Sequence, residues 1–338
     1  MEINKEFAPQ FVLELNDATH AGLARRAIAR CAEEISMDET DRGRLSIAVT
    51  EMATNVLKHA HKGKMLCEPL ASNGSGGLRI ITFDAGPGIQ NIATALSDGF
   101  STAGTAGSGL GAVQRLATHF DIFSVPDHGT CVLAEFWPQK KAPSASPLQV
   151  GVVSVPVRGE TVCGDGWKVK VNADRTYLMV VDGLGHGEFA AEAAREAERI
   201  LSEAQSNSPL VVLRDCHDAL RKTRGAAVAV AAIDRDKGTF SFCGLGNISA
   251  SLASARGSRG IASHNGTVGH NFHRIQEFTF PWDDSSVLIM HSDGVSARWD
   301  LDSYPGIRKK HASLIAATLY RDFARERDDA TVLVAKNL

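Results

Sequence analysis

Glu51, Asn55 and His59 stand four residues apart, a spacing that would place all three on one face of a helix. A carboxylate can orient or deprotonate a nucleophile, and an amide one helical turn away can hold a hydrated Mg²⁺ ion. The alternative for such a stripe is a solvated helix face. The pattern therefore makes these residues candidates for Mg²⁺-assisted acid–base chemistry.

A second candidate site begins where an apolar strand is predicted to end. Asp84 follows the strand predicted at 78–83, and Gly86 and Gly88 come shortly after it. An aspartate at a strand end can accept a hydrogen bond from an adenine amino group, while a glycine turn lets the backbone pass close beneath the base. A simple tight turn would use the same residue types.

A glycine-rich segment at 104–111 leads into a helix predicted at 109–118. Backbone amides at a helix N-terminus offer hydrogen bonds to phosphate oxygens. The segment lacks the Gly-Lys-Ser/Thr ending of a Walker loop, and it is not a Rossmann fingerprint. Taken alone it predicts a flexible connection into a helix, with phosphate binding as one use.

Acidic residues recur at predicted strand edges and turns in the second half of the chain. Carboxylates that converge repel one another unless cations hold them, and their oxygens are preferred ligands of Mg²⁺ and Mn²⁺. Two such ions could activate a bridging water and hold a phosphoryl group for in-line attack. An Asp-Gly pair by itself usually marks a turn, so this hypothesis requires the strands to lie side by side. The positions are Asp165, Asp182, Asp293 and Asp328-Asp329.

Three prolines within ten residues, Pro138, Pro143 and Pro147, divide the chain. Such a stretch cannot continue a helix or a strand, and it predicts a semi-rigid linker. The length of 338 residues also suits two domains, each with its own core. The predicted parts are a first domain at 1–137, a linker at 138–148 and a second domain at 149–338.

Hydrophobic periodicity predicts an α/β (α+β) fold for both parts. The first part has an order of helices and strands typical of a sandwich with one helical layer. The second part is strand-rich, and its three helices suit two sheets covered by helices. The predicted helices are 17–35, 38–60, 109–118, 187–204, 209–221 and 312–325. The predicted strands are 64–70, 78–83, 121–125, 130–136, 151–157, 177–181, 226–233, 239–243, 287–291 and 331–335.

The composition excludes several classes of protein. A formal net charge of -3 gives no reason to expect a nucleic-acid or anionic-membrane partner. The 6 cysteines are scattered without a Cys-x-x-Cys pair, as in a protein with reduced thiols. No stretch approaches the ~20 apolar residues of a membrane span, and no signal-peptide core is present. We therefore expect a soluble, cytoplasmic protein.

The N-terminal motifs, in this order and spacing, resemble the GHKL (Bergerat) ATP-binding fold of gyrase B, heat-shock chaperone ATPases, sensor histidine kinases and MutL. Within it they are most similar to the RsbT- and RsbW-type serine kinases of bacterial partner switching, whose E-x-x-x-N-x-x-x-H-A helix matches residues 51–60. Ser97–Thr102 resembles the ATP lid of the RsbT type. The resemblance implies that Glu51 is the base, that Asn55 is the Mg²⁺ ligand and that Asp84 binds adenine. Further ATP contacts are implied for His59, Gly86, Gly88, Gly107, Gly109 and Gly111.

The acidic positions resemble those of the metal-dependent (PPM, protein phosphatase 2C) phosphatases, and more narrowly the SpoIIE and RsbX branch with its α-β-β-α sandwich. This resemblance implies that Asp182 bridges two divalent ions, Mg²⁺ or Mn²⁺, with the Gly183 carbonyl on one of them. Asp293 and Asp328 would bind the other ion, with Asp165 close by. Eukaryotic members have a histidine where this chain has Leu184, so the role of His186 as general acid is open.

Together the two resemblances imply a bifunctional signalling protein of bacterial partner switching. The first domain would phosphorylate a serine or threonine on a STAS-type anti-sigma antagonist or stressosome-like partner. The second domain would hydrolyse phosphoserine or phosphothreonine on such a partner. In the alternative, the first domain only senses ATP or binds a sigma factor, and only the phosphatase turns over. The sequence leaves the oligomeric state open, a homodimer included.

Overall fold

The chain folds into two units in the computed structural model, which describes residues 10–72, 75–97, 109–142, 146–172, 175–206, 208–272 and 274–338. The first unit comprises the described residues before Ser146 together with Asp302–Arg321. The second comprises Ser146–Leu301 and Asp322–Leu338. No helix within these described ranges is long and apolar enough to cross a membrane.

The first unit contains a five-stranded antiparallel sheet in the order β1-β2-β3-β5-β4. Its first two helices begin at aspartate caps, because the carboxylate of Asp17 accepts from Thr19 N and that of Asp38 accepts from Asp41 N. The strands are β1 Phe11–Leu15, β2 Gly63–Ser72, β3 Ser75–Asp84, β4 His119–Ser124 and β5 Thr130–Phe136. The helices are α1 Ala18–Glu34, α2 Glu39–His59, α3 Ile92–Leu96 and α4 Gly109–Leu116.

One face of this sheet and the helices form a continuous apolar core. The buried stripe of α2 packs toward the sheet, and it positions the polar stripe of the same helix. The core includes Leu45, Met52 and Val56 of α2, Met65 and Cys67 of β2, Leu78 and Ile80 of β3, and Val132 and Ala134 of β5.

Three charged residues lie side by side in register on neighbouring strands of the sheet. Arg79 of β3 pairs with Glu68 of β2 at 2.7 Å and with Glu135 of β5 at 2.8 Å, and all three are buried. A one-residue slip of either strand pair would leave a buried charge without its partner, which is strongly unfavourable. The triad therefore fixes the register of the three central strands.

The second unit contains two five-stranded antiparallel sheets, in the orders β13-β10-β9-β8-β7 and β12-β11-β14-β15-β6. Helices α5 Glu188–Glu203 and α6 Pro209–Ala219 pack on the first of them, where alanines of α5 contact valines of β8 and β9. The first sheet has β7 Asp165–Val171, β8 Thr176–Gly183, β9 Ala226–Asp234, β10 Thr239–Leu245 and β13 Phe278–Pro281. The second has β6 Leu148–Val155, β11 Ser249–Ser254, β12 Gly257–Ile261, β14 Val287–His291 and β15 Ala330–Asn337.

The other face of the first unit's sheet is covered by Asp302–Arg321, a segment that leaves the second unit after β14. It contains most of helix α7, Ala312–Phe323. The Tyr320 ring meets Phe83 edge to face at 5.5 Å, and the Tyr320 hydroxyl lies 3.1 Å from Lys64 Nζ. Asp121 accepts from Lys310 Nζ and from the backbone of this segment, both at 2.9 Å. The sheet is thus covered on its second face by residues from far along the chain.

The structure confirms the α/β class and the two sheets of the second part, and it adds several elements. The sequence did not predict β1, β7 or β11 to β13, of which β12 is largely exposed. The helix predicted at 312–325 is present as α7, but it packs in the first unit. The division at 138–148 stays a prediction.

Candidate functional sites

A cavity of about 370 Å³ opens in the first unit between α2, the turn after β3 and the start of α4. Its wall combines the polar stripe of α2 with the Asp-Gly turn, as the motifs predict. Of the residues singled out from the sequence, those that line it are Glu51, Asn55, His59, Asp84, Gly88 and Gly109. The cavity is therefore the candidate nucleotide site.

Close backbone packing explains the glycines of the turn after β3. Gly88 has a φ of +68°, and a Cβ there would lie 2.2 Å from the Val125 carbonyl oxygen. A Cβ on Gly86 would lie 2.6 Å from the Cβ of Ala60, the last residue of the α2 motif. Gly86 does not line the cavity, but its amide donates to Asp84 Oδ1 at 2.9 Å and so orients the carboxylate.

Asp84 is, with Glu51, one of the acidic residues that line this cavity. Burial raises the pKa of its carboxyl group, while the Gly86 N–H and the Arg321 guanidinium oppose this shift. Arg321 Nη1 donates to the main-chain oxygen of Asp84 at 3.3 Å. The turn is thus held from inside by Gly86 and from α7 by Arg321.

Asn55 carries a buried polar atom that the described residues leave unsatisfied. Its Nδ2 has no hydrogen-bond partner among them, although Asn55 lines the cavity. A buried amide without a partner is unfavourable, and it is satisfied when a polar ligand enters. The same amide offers an oxygen that suits a hydrated Mg²⁺ ion. Asn55 therefore fits a nucleotide with its Mg²⁺ ion.

The predicted phosphate segment is described only in part. Residues 98–108, which include Gly107 of the glycine-rich segment and all of the predicted lid after Ser97, lie outside the described residues. Gly111, inside α4, does not line the cavity, and a Cβ on it would lie 2.6 Å from the Leu96 carbonyl oxygen. Its role is therefore to let α4 pack closely on α3.

The acidic residues of the second unit come together at strand ends of its two sheets. Asp165 of β7 and Asp182 of β8 are directly opposed in register. Asp293 follows β14, its backbone N–H donates to the Asp182 carboxylate, and its own carboxylate accepts from Asn247 Nδ2 at 2.6 Å. A Cβ on Gly294 would lie 1.8 Å from the Asp329 carbonyl oxygen, so the turn after β14 packs against the start of β15.

Asp329 and Asp165 are also held by hydrogen bonds from the protein itself. Asp329 accepts from Val157 N at 2.7 Å and from Gly164 N at 2.9 Å. Asp165 accepts from Ser292 Oγ at 2.6 Å. Asp328, by contrast, is exposed. Asp329 thus fixes the loop that carries Asp165, while Asp328 remains accessible to a ligand.

The carboxylates make one another harder to ionise. Burial, followed by the charges of Asp293, Asp328 and Asp329, raises the pKa of Asp182 to about 7. Burial and the Asp182 charge raise the pKa of Asp165 well above its ordinary value. A divalent cation would relieve this repulsion, and the donor set of carboxylates and a backbone carbonyl suits Mg²⁺ or Mn²⁺.

Within the described part of the chain, no group of three or more His, Cys, Asp or Glu side chains meets the geometry of a metal site. Asn247 and Ser292 already donate to oxygens of Asp293 and Asp165. The residues therefore fit a divalent ion by their chemistry, and binding would require small rotations of the carboxyl groups.

The turn after Asp182 brings a cation and apolar groups close to the cluster. A Cβ on Gly183 would lie 2.2 Å from the Ala190 carbonyl oxygen, which explains the glycine. Leu184 and Phe189 are exposed, and the Arg224 guanidinium lies 4.8 Å from the centre of the Phe189 ring. His186 is exposed, and its Nδ1 lies 2.7 Å from Glu160 Oε1.

Sequence reasoning missed two residues of this site and the structural role of a third. Asn247, which donates to Asp293, follows Gly246 in the sequence, and Ser292, which donates to Asp165, directly precedes Asp293-Gly294. The neighbouring glycines were the sequence signal that could have identified these two residues as part of the site. Asp329 was recognised as half of an acidic doublet, but its structural role depends on contacts with residues more than 160 positions away.

Comparison with known proteins finds a matching family model for each part of the chain. Residues 15–136 match the model of the histidine kinase-like ATPase domain, and residues 172–337 match that of stage II sporulation protein E (SpoIIE). The serine/threonine-protein kinase RsbT of Bacillus subtilis (strain 168) is 40% identical over 114 residues, which cover 34% of this chain and 86% of RsbT. The phosphoserine phosphatase RsbX of the same organism is 24% identical over 195 residues, which cover 56% of this chain and 94% of RsbX.

Solved structures show the same relationship for the second unit. A crystal structure of RsbX in complex with magnesium aligns at 22% identity with a TM-score of 0.51, covering 59% of this chain and 99% of that chain. A chain solved in work on the bacterial stressosome aligns at 30% identity with a TM-score of 0.53, covering 56% of this chain and 100% of that chain. The likeness to RsbX shows a shared fold.

A kinase-like ATPase domain and a metal-dependent type of phosphatase domain are thus joined in one chain. The protein belongs to the RsbT-type serine/threonine kinase family through its N-terminal part, and its C-terminal part is a SpoIIE-type protein serine/threonine phosphatase domain. The resemblance drawn from the motifs is confirmed.

Proposed function

We propose that this protein controls a partner-switching pathway in the cytoplasm by phosphorylating and dephosphorylating serine or threonine residues of STAS-type antagonist domains. The observation that carries this proposal is the presence of two candidate sites in one chain: the cavity around Asn55 and the carboxylate cluster around Asp182. The 40% identity to RsbT and the match to the SpoIIE family support a kinase and a phosphatase of this type.

In the first unit, Asp84 would accept a hydrogen bond from the adenine amino group of ATP. Asn55 would hold the Mg²⁺ ion, which neutralises charge on the phosphates. Glu51, which lines the same cavity, would take the proton of the attacking serine or threonine hydroxyl as its oxygen bonds to the γ-phosphorus. The bond to the β-phosphate oxygen breaks, and ADP leaves. His59, Gly88 and Gly109 would line the bound nucleotide.

In the second unit, Asp182 would contact two divalent ions, with the Gly183 carbonyl on one and Asp293 and Asp328 on the other. Divalent ions held by these residues would supply an activated water for attack on the phosphoryl group and would neutralise its charge. Asp165 would lie close by, since it is opposed to Asp182 in register. The Mg²⁺ or Mn²⁺ requirement is a proposal drawn from this donor set.

The test of this proposal is transfer of labelled phosphate from ATP to candidate STAS domains, followed by its release in Mn²⁺.

We expect Asn55→Ala to weaken Mg²⁺-ATP binding by about tenfold or more, because a charge-assisted ligand of the ion is lost. Calorimetry with Mg²⁺-ATP measures this affinity. The matched control is Asn16→Ala, on the exposed connection after β1.

Unchanged nucleotide affinity in Asn55→Ala would contradict the assignment of the Mg²⁺ ligand. ATP binding without transfer to any STAS domain would instead favour the alternative, a first unit that only senses ATP or binds a sigma factor.

The pKa of Asp182 predicts a pH dependence of stability. Since its folded-state pKa, about 7, exceeds its ordinary value of 3.8, protonation stabilises the metal-free fold. This contribution is complete below about pH 4, and it is lost as the pH rises through about 7. Divalent ions bind the carboxylate form, so we expect Mn²⁺ to raise the melting temperature more at about pH 7.5 than at about pH 5.5. Equal increases at the two pH values would contradict this prediction, which thermal unfolding with and without Mn²⁺ measures.

A further inference from the structure

Arg321 binds the turn proposed to recognise adenine, although it comes from the part of the chain that matches the SpoIIE family. It lies near the C-terminal end of α7, and its Nη1 donates to the Asp84 main-chain oxygen at 3.3 Å and to Cys131 Sγ at 3.6 Å. Asp84 and Cys131 belong to neighbouring strands, β3 and β5. The position of the Arg321 side chain therefore depends on the position of the end of β3, where Asp84 lies.

The residues that directly follow Arg321 are hydrogen-bonded to the turn that carries Asp293. The Phe323 carbonyl accepts from Ser296 N at 2.9 Å, and Arg325 N donates to the Gly294 carbonyl at 2.7 Å. Between them, Ala324 forms an antiparallel bridge with Val295. The segment just after α7 is thus fixed by backbone contacts to residues adjacent to a proposed metal ligand.

Two arginines four residues apart therefore contact the two turns. Arg321 donates from its side chain to the Asp84 main-chain oxygen, and Arg325 donates from its backbone to the Gly294 carbonyl, next to Asp293. Asp328, the other proposed ligand of the same ion, follows three residues after Arg325. Only Asp322 separates Arg321 from the first residue bound to the turn after β14.

We infer that Arg321 is a positioning residue that links nucleotide occupancy at Asp84 to metal binding at Asp293 and Asp328. The inference rests on the proposed nucleotide site. A nucleotide that binds Asp84 alters the turn that Arg321 contacts, and a shift of Arg321 is carried by the chain to the turn after β14. Coupling of this kind is reciprocal, so metal binding changes nucleotide affinity by the same factor. With such a link, one chain could contain a kinase and a phosphatase whose two reactions do not continuously reverse each other.

The test measures the Mn²⁺ concentration that half-activates hydrolysis of p-nitrophenyl phosphate, with and without saturating ADP, at matched free Mn²⁺. In the unaltered protein we expect ADP to change this concentration by about fivefold or more, a typical size for coupling between sites. In Arg321→Ala, with ADP again saturating, we expect a change of less than about 1.5-fold, because the contact with Asp84 is gone. Arg308→Ala is the matched control: Arg308 lies in the same segment and pairs with Asp302, so the full effect of ADP should remain.

The outcomes separate this inference from the proposed function. Binding of ADP without any effect on Mn²⁺ activation in the unaltered protein would overturn the link and leave the nucleotide site standing. No binding of ADP would overturn both. An undiminished effect of ADP in Arg321→Ala would show that Arg321 does not carry the coupling. If Arg321→Ala does not fold, Arg321→Met keeps the buried stem, and the same loss of coupling is expected.

Discussion

Asp182→Asn is expected to reduce Mn²⁺-dependent hydrolysis of p-nitrophenyl phosphate by roughly a hundredfold to a thousandfold, the usual cost of removing one preorganised electrostatic group. Asp182 lies close to the other carboxylates of the cluster, since the charges of Asp293, Asp328 and Asp329 all raise its pKa. An amide in its place supplies no negative charge to hold two cations. Steady-state rates over a range of Mn²⁺ concentrations measure the effect.

The control for this prediction has the same change of charge outside the site. Asp236→Asn, in the exposed turn between β9 and β10, should keep the full rate. Asp182→Asn should still bind Mg²⁺-ATP, because the cavity around Asn55 belongs to the other unit. A mutant that retains nearly full turnover in Mn²⁺ would show that Asp182 is not a shared metal ligand.

Glu51→Gln is expected to lower phosphoryl transfer to the partner protein by about 10²- to 10⁴-fold, the usual contribution of a general base. Glutamine keeps the shape of the side chain but cannot accept the hydroxyl proton. Nucleotide affinity should stay within about threefold, because positioning of the nucleotide is assigned to Asp84 and Asn55. Single-turnover transfer of labelled phosphate measures the rate, and calorimetry measures the affinity.

A glutamate outside the cavity provides the comparison for this variant. Glu34→Gln, at the exposed end of α1, should transfer phosphate at the full rate. If Glu51→Gln also keeps the full rate, another group acts as the base. If its nucleotide affinity falls as far as its rate, Glu51 contributes to binding rather than to proton transfer.

Local sequence determined the parts of each site that depend on short-range geometry. The spacing of Glu51, Asn55 and His59 places them on one face of α2, since helical periodicity depends only on neighbouring residues. The glycines after Asp84 predict a tight turn from their residue type alone, although only the structure shows that they pack against Ala60 and Val125. These features, and the two families to which they point, could be predicted without coordinates.

The tertiary structure alone decided which distant segments meet. The sequence predicted helix α7, but its amphipathic pattern carries no information about which sheet it covers, and it packs on β3 and β5 through Tyr320 and Thr318. Likewise, Asp328 and Asp329 are identical in type and adjacent, yet only Asp329 is buried and bonded to Val157 and Gly164. Such differences arise from contacts between residues far apart in the chain, which propensity and periodicity do not encode. The contact between Arg321 and Asp84 is of the same kind, and it ties the phosphatase part of the sequence to the nucleotide cavity.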